Sequence, residues 1–262
     1  MSKIMKTLLS IDIGNSDMVV GLWRDDKIEF IWRTPSSKEK NAEAFQMIFR
    51  EWLLESDIKI SEVDSISLSS VVPELSDTVS KAVKGLFEIN PLIIGPDVYH
   101  KIPISTERPT EIGSDLMCNA LAAYIRAGRK ACIVVDFGTA LTFTSVNNDG
   151  SVAGVAIAPG LKTAIRALTQ NTAKLPEVPL EMPTSVLGKN TVHAIQAGIL
   201  SGYTGLVEKM VQLIKEELKT PMNVYATGGL SSILSPLKDS FDIVDVNLTL
   251  DGLRLMNHFY EK

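Results

Sequence analysis

The spacing of apolar positions changes along the chain, and each change marks an element. Thr7-Leu8-Leu9-Ser10-Ile11 is a short apolar run closed by Asp12-Ile13-Gly14-Asn15-Ser16. It reads as a buried strand that ends in a tight turn. Residues 18–23 and 28–33 read as two further strands, joined by a hairpin turn at Asp25-Asp26-Lys27. In 42–54 the apolar residues Phe45, Ile48, Phe49 and Trp52 recur at a helical period. A strand at 65–72, a helix at 75–87 and a short strand at 92–94 follow. Residues 95–112, with Pro96, Pro103 and Pro109, read as a connecting segment. A helix over 113–126 carries the apolar stripe Met117, Ala120, Leu121 and Tyr124.

The second half runs through the same order. A strand at 131–135 leads into Asp136-Phe137-Gly138-Thr139-Ala140, then a strand at 141–146, a turn at Asn147-Asn148-Asp149-Gly150, a strand at 152–158 and a helix at 161–169. A long helical stretch over 192–218 contains Gly198, Gly202 and Gly205, which predict a kink or close packing. A strand at 222–226 precedes Thr227-Gly228-Gly229, and a strand at 241–246 and a helix at 250–259 complete the chain. Asp12 and Gly14 recur as Asp136 and Gly138, 124 residues on in both cases. The repeat is of a whole domain, longer than any solenoid unit.

Composition narrows the function. The 262 residues are 45% hydrophobic and 22% charged, enough apolar material for a sizeable core. Asp and Glu (31) exceed Lys and Arg (26), which argues against nucleic acid as a partner. No apolar run nears the roughly 20 residues of a membrane span, and the first six residues do not read as a signal peptide. Cys118 and Cys132 lack metal-ligand spacing and read as two buried free thiols in a reducing, cytoplasmic compartment.

The paired Asp-x-Gly turns point to phosphate. A glycine tolerates positive φ and lets backbone N–H groups approach an anion closely. Asn15 and Ser16 add donors, and an Asp at a strand end can hold a hydrated cation against phosphate charge. Other nucleotide motifs fail. Gly188-Lys189 is followed by Asn190 and has Pro183 where a P-loop needs its first glycine. No Gly-x-Gly-x-x-Gly follows a strand, and Asp136-Phe137-Gly138 has no kinase catalytic-loop partner. Gly228-Gly229 suits either a seat for a flat adenine ring or a plain strand-to-helix turn. Asp115, after Gly113-Ser114 at a helix start, suits either a helix cap or a general base held ionised by the helix dipole.

Taken in order, these stretches resemble the type III pantothenate kinases, a family of the actin-like, sugar-kinase-like ATPase superfamily. The matching stretches are Asp12 to Ser16, Glu111-Ile112-Gly113-Ser114-Asp115, Asp136 to Thr142 and Gly154 to Gly160. Thr172-Ala173-Lys174-Leu175-Pro176, Gly188-Lys189-Asn190-Thr191 and Thr227-Gly228-Gly229 complete the set. The 124-residue repeat divides the chain as 1–112 and 113–262. The resemblance implies an α/β fold of two duplicated ribonuclease-H-like (actin-like ATPase) domains, with mixed sheets flanked by helices. It implies phosphorylation of pantothenate by ATP with Mg²⁺, a monovalent cation (K⁺ or NH₄⁺), and a homodimer. Carried over by residue, Asp12, Gly14, Asn15, Ser16, Thr139, Gly228 and Gly229 would bind ATP, and Asp136 the monovalent cation. Asp115 would be the base, and Gly113, Ser114, Asp115, Leu116 and Thr191 would line the acceptor.

Two positions depart from the family pattern. Leu116 stands where the family carries an Arg that contacts pantothenate, and Thr106 where it often carries a Tyr. Ala153 and Ser16 are milder changes. The alternatives are therefore a catalytically weak, nucleotide-binding accessory or regulatory paralogue, or a kinase for a different small alcohol. His100, His193 and His258 are scattered, and Arg166 and Lys174 read as solvated helix positions. Trp23, Trp32 and Trp52 read as core or interface residues. The small-residue stripe Ala194, Ala197, Gly198, Ser201 and Gly202 suits a dimer interface and internal packing equally.

Overall fold

The computed structural model describes residues 6–170, 178–231 and 233–262. The Thr172 to Pro176 stretch, with Lys174, lies outside the described residues. The chain forms two compact units, one running to Ala122 and taking in Thr249–Lys262, the other Ala123–Leu248.

In the first unit, β1 (Thr7–Ile13), β2 (Asp17–Arg24) and β3 (Lys27–Pro35) form an antiparallel meander. β4 (Ser65–Ser70) and β5 (Leu92–Ile93) add in parallel, giving the order β3-β2-β1-β4-β5. The strand period of two sorts the side chains. Leu9, Ile11 and Ile13 of β1 and Ile66 and Leu68 of β4 enter one core. Ser10, Asp12, Ser67 and Ser69 occupy the opposite face.

Two helices cover the core face. α1 (Ala42–Glu55) starts where Asn41 accepts the Ala44 N–H at 2.9 Å. It buries Phe45, Phe49 and Leu53 at four-residue spacing. α2 (Pro73–Phe87) opens on Pro73 and buries Leu75, Val79, Ala82, Val83 and Leu86. Each of these larger apolar side chains, Ala82 apart, contributes about 1.5–3 kcal/mol on leaving water. Trp52 stacks on Trp32, and Trp32 on Phe30, at centroid distances of 5.8 and 5.7 Å. Trp23 is buried and donates its Nε1–H to Ser10 Oγ at 2.8 Å. The short α3 (Pro96–Tyr99) lies in the proline-bearing segment, and α4 (Ser114–Arg126) follows it.

The second unit repeats the plan. β6 (Cys132–Phe137), β7 (Ala140–Val146) and β8 (Val152–Pro159) are antiparallel. β9 (Asn223–Thr227) and β10 (Ile243–Val244) add in parallel, in the order β10-β9-β6-β7-β8. By chain position this is the same order as in the first unit. α5 (Leu161–Gln170), α6 (Thr191–Gln196) and α7 (Gly202–Leu218) belong to it. A single π-helical turn at Ala197–Ser201 joins α6 to α7, so the expected irregularity falls at Gly198. Gly198, Gly202 and Gly205 have no described atom within 4 Å of an added Cβ.

The strand expected over 241–246 shrinks to two residues. Its acidic flanks explain this: Asp242 Oδ2 takes the Val224 N–H at 2.7 Å, and Asp245 Oδ1 takes the Asn247 N–H at 2.8 Å. The last helix, α8 (Leu248–Tyr260), then packs in the first unit. There Gly252 lies against Cys118, where a Cβ would collide with its backbone. Thr249 Oγ1 donates to Asn119 Oδ1 at 2.8 Å, and Ser67 Oγ to the Leu253 carbonyl at 3.3 Å. The Arg254 guanidinium stacks 5.3 Å over Trp23 and pairs with Asp251 at 2.8 Å.

Candidate functional site

In the first unit the site begins at the end of β1. Gly14 donates its N–H to the Asp17 carbonyl at 3.0 Å, closing a turn that leaves Asn15 and Ser16 exposed. Positive φ is not the reason for this glycine: Gly14 and Gly138 both keep negative φ or extended backbone, contrary to the expectation. At position 14 space is the reason, since a Cβ would sit a tight 3.2 Å from the Asp17 carbonyl; at position 138 it would make only an ordinary 3.4 Å contact with the Ala140 carbonyl.

Asp115 lies in the first turn of α4. Gly113 accepts the Met117 N–H at 3.1 Å and so is the capping residue. Asp115 Oδ1 takes the next free donor, the Leu116 N–H, at 2.8 Å, and lies back over Gly113 where a Cβ would stand. Burial pushes the Asp115 carboxyl up from its usual range, against the opposing N–H groups of Leu116 and Asp115. Ser114 Oγ lies 2.9 Å from Ser69 Oγ, and Ser69 is the register partner of Asp12. One helical turn on, burial pushes the Cys118 thiol well up, and the charges of Asp12 and Asp115 push the same way. Through Ser69 and Ser114 the first turn of α4, with Asp115, meets the strand neighbouring Asp12.

Tyr99 belongs to the same neighbourhood and was not singled out by sequence. It is buried, and burial raises its phenol pKa, with Cys118 and Asp115 adding to the effect. Only the fold brings the end of a four-residue helix here. Leu116 and Thr106 are both partly exposed, and Thr106 Oγ1 accepts the Arg108 N–H at 3.4 Å.

In the second unit Gly138 donates to the Ala140 carbonyl at 3.1 Å, and Thr139 is exposed at the tip. Asp136 is paired across the sheet with Thr142 on β7 and Thr227 on β9. Paired residues share a sheet face, and here that face is opposite the one carrying Val135, Phe137 and Ala226 into the core. The hydroxyls of Thr142, Thr227 and Ser231 are buried with no hydrogen-bond partner among the described residues. Gly228 takes φ +88°, and a Cβ there would lie 2.6 Å from Asp136 Oδ1 and 2.7 Å from the Phe137 carbonyl. Gly228 therefore serves the turn and the close approach, whereas Gly229 has open space around it.

Thr191 is the first residue of α6, whose cap Asn190 accepts the His193 N–H at 2.9 Å. Gly188, Lys189, Asn190 and Thr191 line an open cavity of about 510 Å³. His193 Nε2 lies 3.1 Å from the Ser185 carbonyl, which ties it to the local loop. Cys118 and Cys132 are buried free thiols, as the sequence predicts.

The first unit thus carries one tight glycine turn and a carboxyl raised by burial, and the second a like turn beside a row of buried hydroxyls. A profile of type III pantothenate kinases matches residues 8–213. A type III pantothenate kinase of Geobacter sp. is 41% identical over 250 residues, covering 95% of this chain and 98% of that protein. That of Moorella thermoacetica is 39% identical over 249 residues, covering 95% and 98%. Among solved structures, the polyphosphate/ATP-glucomannokinase of Arthrobacter sp. strain KM superposes at TM-score 0.51 with 13% identity, covering 97% and 98%, a likeness of fold. The two mixed sheets flanked by helices are accordingly duplicated ribonuclease-H-like domains of the actin-like class. With residues matched over nearly the whole length of both proteins, the chain belongs to the type III pantothenate kinase family.

Proposed function

We propose that the chain transfers the γ-phosphoryl group of ATP to the primary hydroxyl of pantothenate, the first step toward coenzyme A. The carrying observation is the placement of Asp115, whose carboxylate is raised by burial in the first turn of α4, where the Ser114 hydroxyl lies 2.9 Å from that of Ser69, the register neighbour of Asp12. An alcohol attacks poorly until a base takes its proton, and a carboxylate with a raised pKa is the better base. Asp115 accepts the hydroxyl proton as the alcohol oxygen bonds to the γ-phosphorus, and the bond to the ADP oxygen breaks. Asn15, Ser16 and Thr139 hold the phosphates through N–H and side-chain donors, and Gly14, its own N–H held by the Asp17 carbonyl, lets the turn close beside them. Gly228 and Gly229 border the base, and Gly113, Ser114, Leu116 and Thr191 border the acceptor.

Asp12, a hard oxygen donor at a partly exposed strand end, suits Mg²⁺ through its water shell. Magnesium, when bound, neutralises charge on the phosphates. Asp136, with the unpartnered hydroxyls of Thr142 and Thr227 on either side, suits an oxygen-seeking monovalent cation such as K⁺ or NH₄⁺. The open face at Gly198, Gly202 and Gly205 supports a homodimer. Among the described residues no helix is long and apolar enough to cross a membrane, which accords with work in the cytoplasm.

Leu116, in place of the family's arginine, favours a second reading: a nucleotide-binding relative with weak or altered acceptor use. ADP release that requires pantothenate and K⁺, and disappears in Asp115→Asn, supports the first reading. ATP binding without transfer to pantothenate overturns it in favour of the second.

A further inference from the structure

Each Asp-x-Gly turn is held by the residue that follows the third strand of its own sheet. In the first unit β3 ends at Pro35, and the next residue, Ser36, is partly buried. Its N–H donates to the Ser16 carbonyl at 2.9 Å, and its Oγ donates to the Gly14 carbonyl at 2.6 Å. In the second unit β8 ends at Pro159, and Gly160 follows. The Gly160 N–H donates to the Thr139 carbonyl at 3.0 Å, and Thr163 Oγ1 donates to the same oxygen at 2.7 Å. Tyr203 Oη in turn holds the Pro159 carbonyl at 2.7 Å. Position 160 admits no side chain, because a Cβ would meet the Gly138 and Thr139 carbonyls. Pro35 and Pro159, and Ser36 and Gly160, stand 124 residues apart, as Asp12 and Asp136 do. The repeat therefore extends to the strand end and the residue after it, while each unit pins its turn at its own carbonyls.

The consequence is electrostatic. In a peptide unit the C=O and N–H point in opposite directions, so a carbonyl pinned on one side presents the N–H on the other. A turn that receives phosphate needs its N–H groups forward and its carbonyl oxygens turned away, since a peptide flip would set a partial negative charge against the anion. The hydrogen bonds to Gly14, Ser16 and Thr139 are made to the carbonyls that such a flip would release.

We propose that Ser36 in the first unit, and Thr163 with Gly160 in the second, are positioning residues that fix the anion-binding face of the two turns and so set nucleotide affinity. The inference rests on the nucleotide-binding reading above. Its test uses the full chain, with Ser36→Ala, Ser36→Thr, Thr163→Val and Thr163→Ser. Calorimetry measures the Kd for ATP, and steady-state kinetics measures KM for each substrate.

Losing one such bond is expected to weaken ATP binding about fivefold to tenfold. KM for ATP rises in parallel, kcat and KM for pantothenate stay within about twofold, and Ser36→Thr and Thr163→Ser restore ATP affinity. Wild-type affinity for ATP in both Ser36→Ala and Thr163→Val overturns the proposal. So does an equal loss in every parameter together with a fall in Tm, the mark of a merely structural role. A wild-type chain that fails to bind ATP overturns the nucleotide reading itself. Normal wild-type binding with insensitive variants overturns only the role of Ser36 and Thr163.

Discussion

Ser69 and Ser114 place their hydroxyl oxygens 2.9 Å apart, joining β4 to the first turn of α4. Both residues are buried, and Ser69 is the register neighbour of Asp12. The pair sets the start of the helix that carries Asp115 beside the strand that carries Asp12. Removing either hydroxyl leaves the other buried, with Ser114 keeping only a long 3.5 Å contact to the Ser70 carbonyl. Ser69→Ala or Ser114→Ala is expected to cost about 1–3 kcal/mol. The double variant should cost less than the two single losses together, because it strands no partner. Urea unfolding of all four proteins measures the coupling, and simple additivity would refute it.

Asp115 couples activity to pH. Its folded carboxyl is raised, chiefly by burial, so it takes up a proton at a higher pH than an ordinary carboxyl. As pH falls, kcat/KM for the acceptor should drop with a midpoint above the ordinary carboxylate value. Stability has the opposite sign. The contribution is most favourable with the group protonated, below the unfolded pKa, and is lost as pH rises through the raised folded value. Asp115→Asn should therefore lower kcat by about 10²–10⁴ while leaving neutral-pH stability equal or higher. A pH–rate profile and a melting curve test both halves, and a less stable Asp115→Asn would contradict the burial argument.

Leu116 offers the acceptor no cation. Leu116→Arg places a planar donor fork on the first turn of α4, next to Asp115. A charged hydrogen bond of about 1.5–3 kcal/mol would lower KM for pantothenate roughly tenfold to a hundredfold. KM for ATP should stay put. If KM for pantothenate is unmoved, position 116 does not touch the acceptor.

Thr227, beside Asp136, carries a buried hydroxyl with no partner among the described residues. Thr227→Val keeps the shape and removes the oxygen, so in K⁺-free buffer it should stabilise the chain by about 1 kcal/mol. A cation bound only by the folded state raises Tm, and the variant should lose part of that rise. Melting curves in potassium and in tetramethylammonium chloride give the comparison. An identical potassium-induced shift in both proteins would remove Thr227 from the donor set.

Much of this architecture was legible in the chain. An apolar run closed by a turn marked β1, a hairpin turn joined β2 to β3, and the helical period of Phe45, Ile48, Phe49 and Trp52 marked α1, because such signals are local. Asp12 and Asp136 stood out because each ends a buried strand at a glycine turn. Tyr99, Ser69, Ser36 and the unpartnered threonines did not stand out. A tyrosine or serine in an ordinary setting carries no periodic signal, and its role arises from a neighbour far along the chain. The shortening of β10 was hidden for the same reason: Asp242 and Asp245 act on Val224, Ala226 and Asn247 through hydrogen bonds.

The sequence by itself determined the order of elements, the 124-residue repeat, the two turns and the family whose motifs they carry. These follow from period, turn chemistry and residue type, each a property of a few consecutive positions. Tertiary structure alone decided that α8 returns to the first unit to pack Gly252 against Cys118. It decided too that Gly14 serves space rather than positive φ, that Ser114 joins the Asp115 turn to the neighbour of Asp12, and that Ser36 holds the first turn from behind. Such relations depend on which surfaces meet once the apolar faces are buried, and no local pattern encodes that meeting.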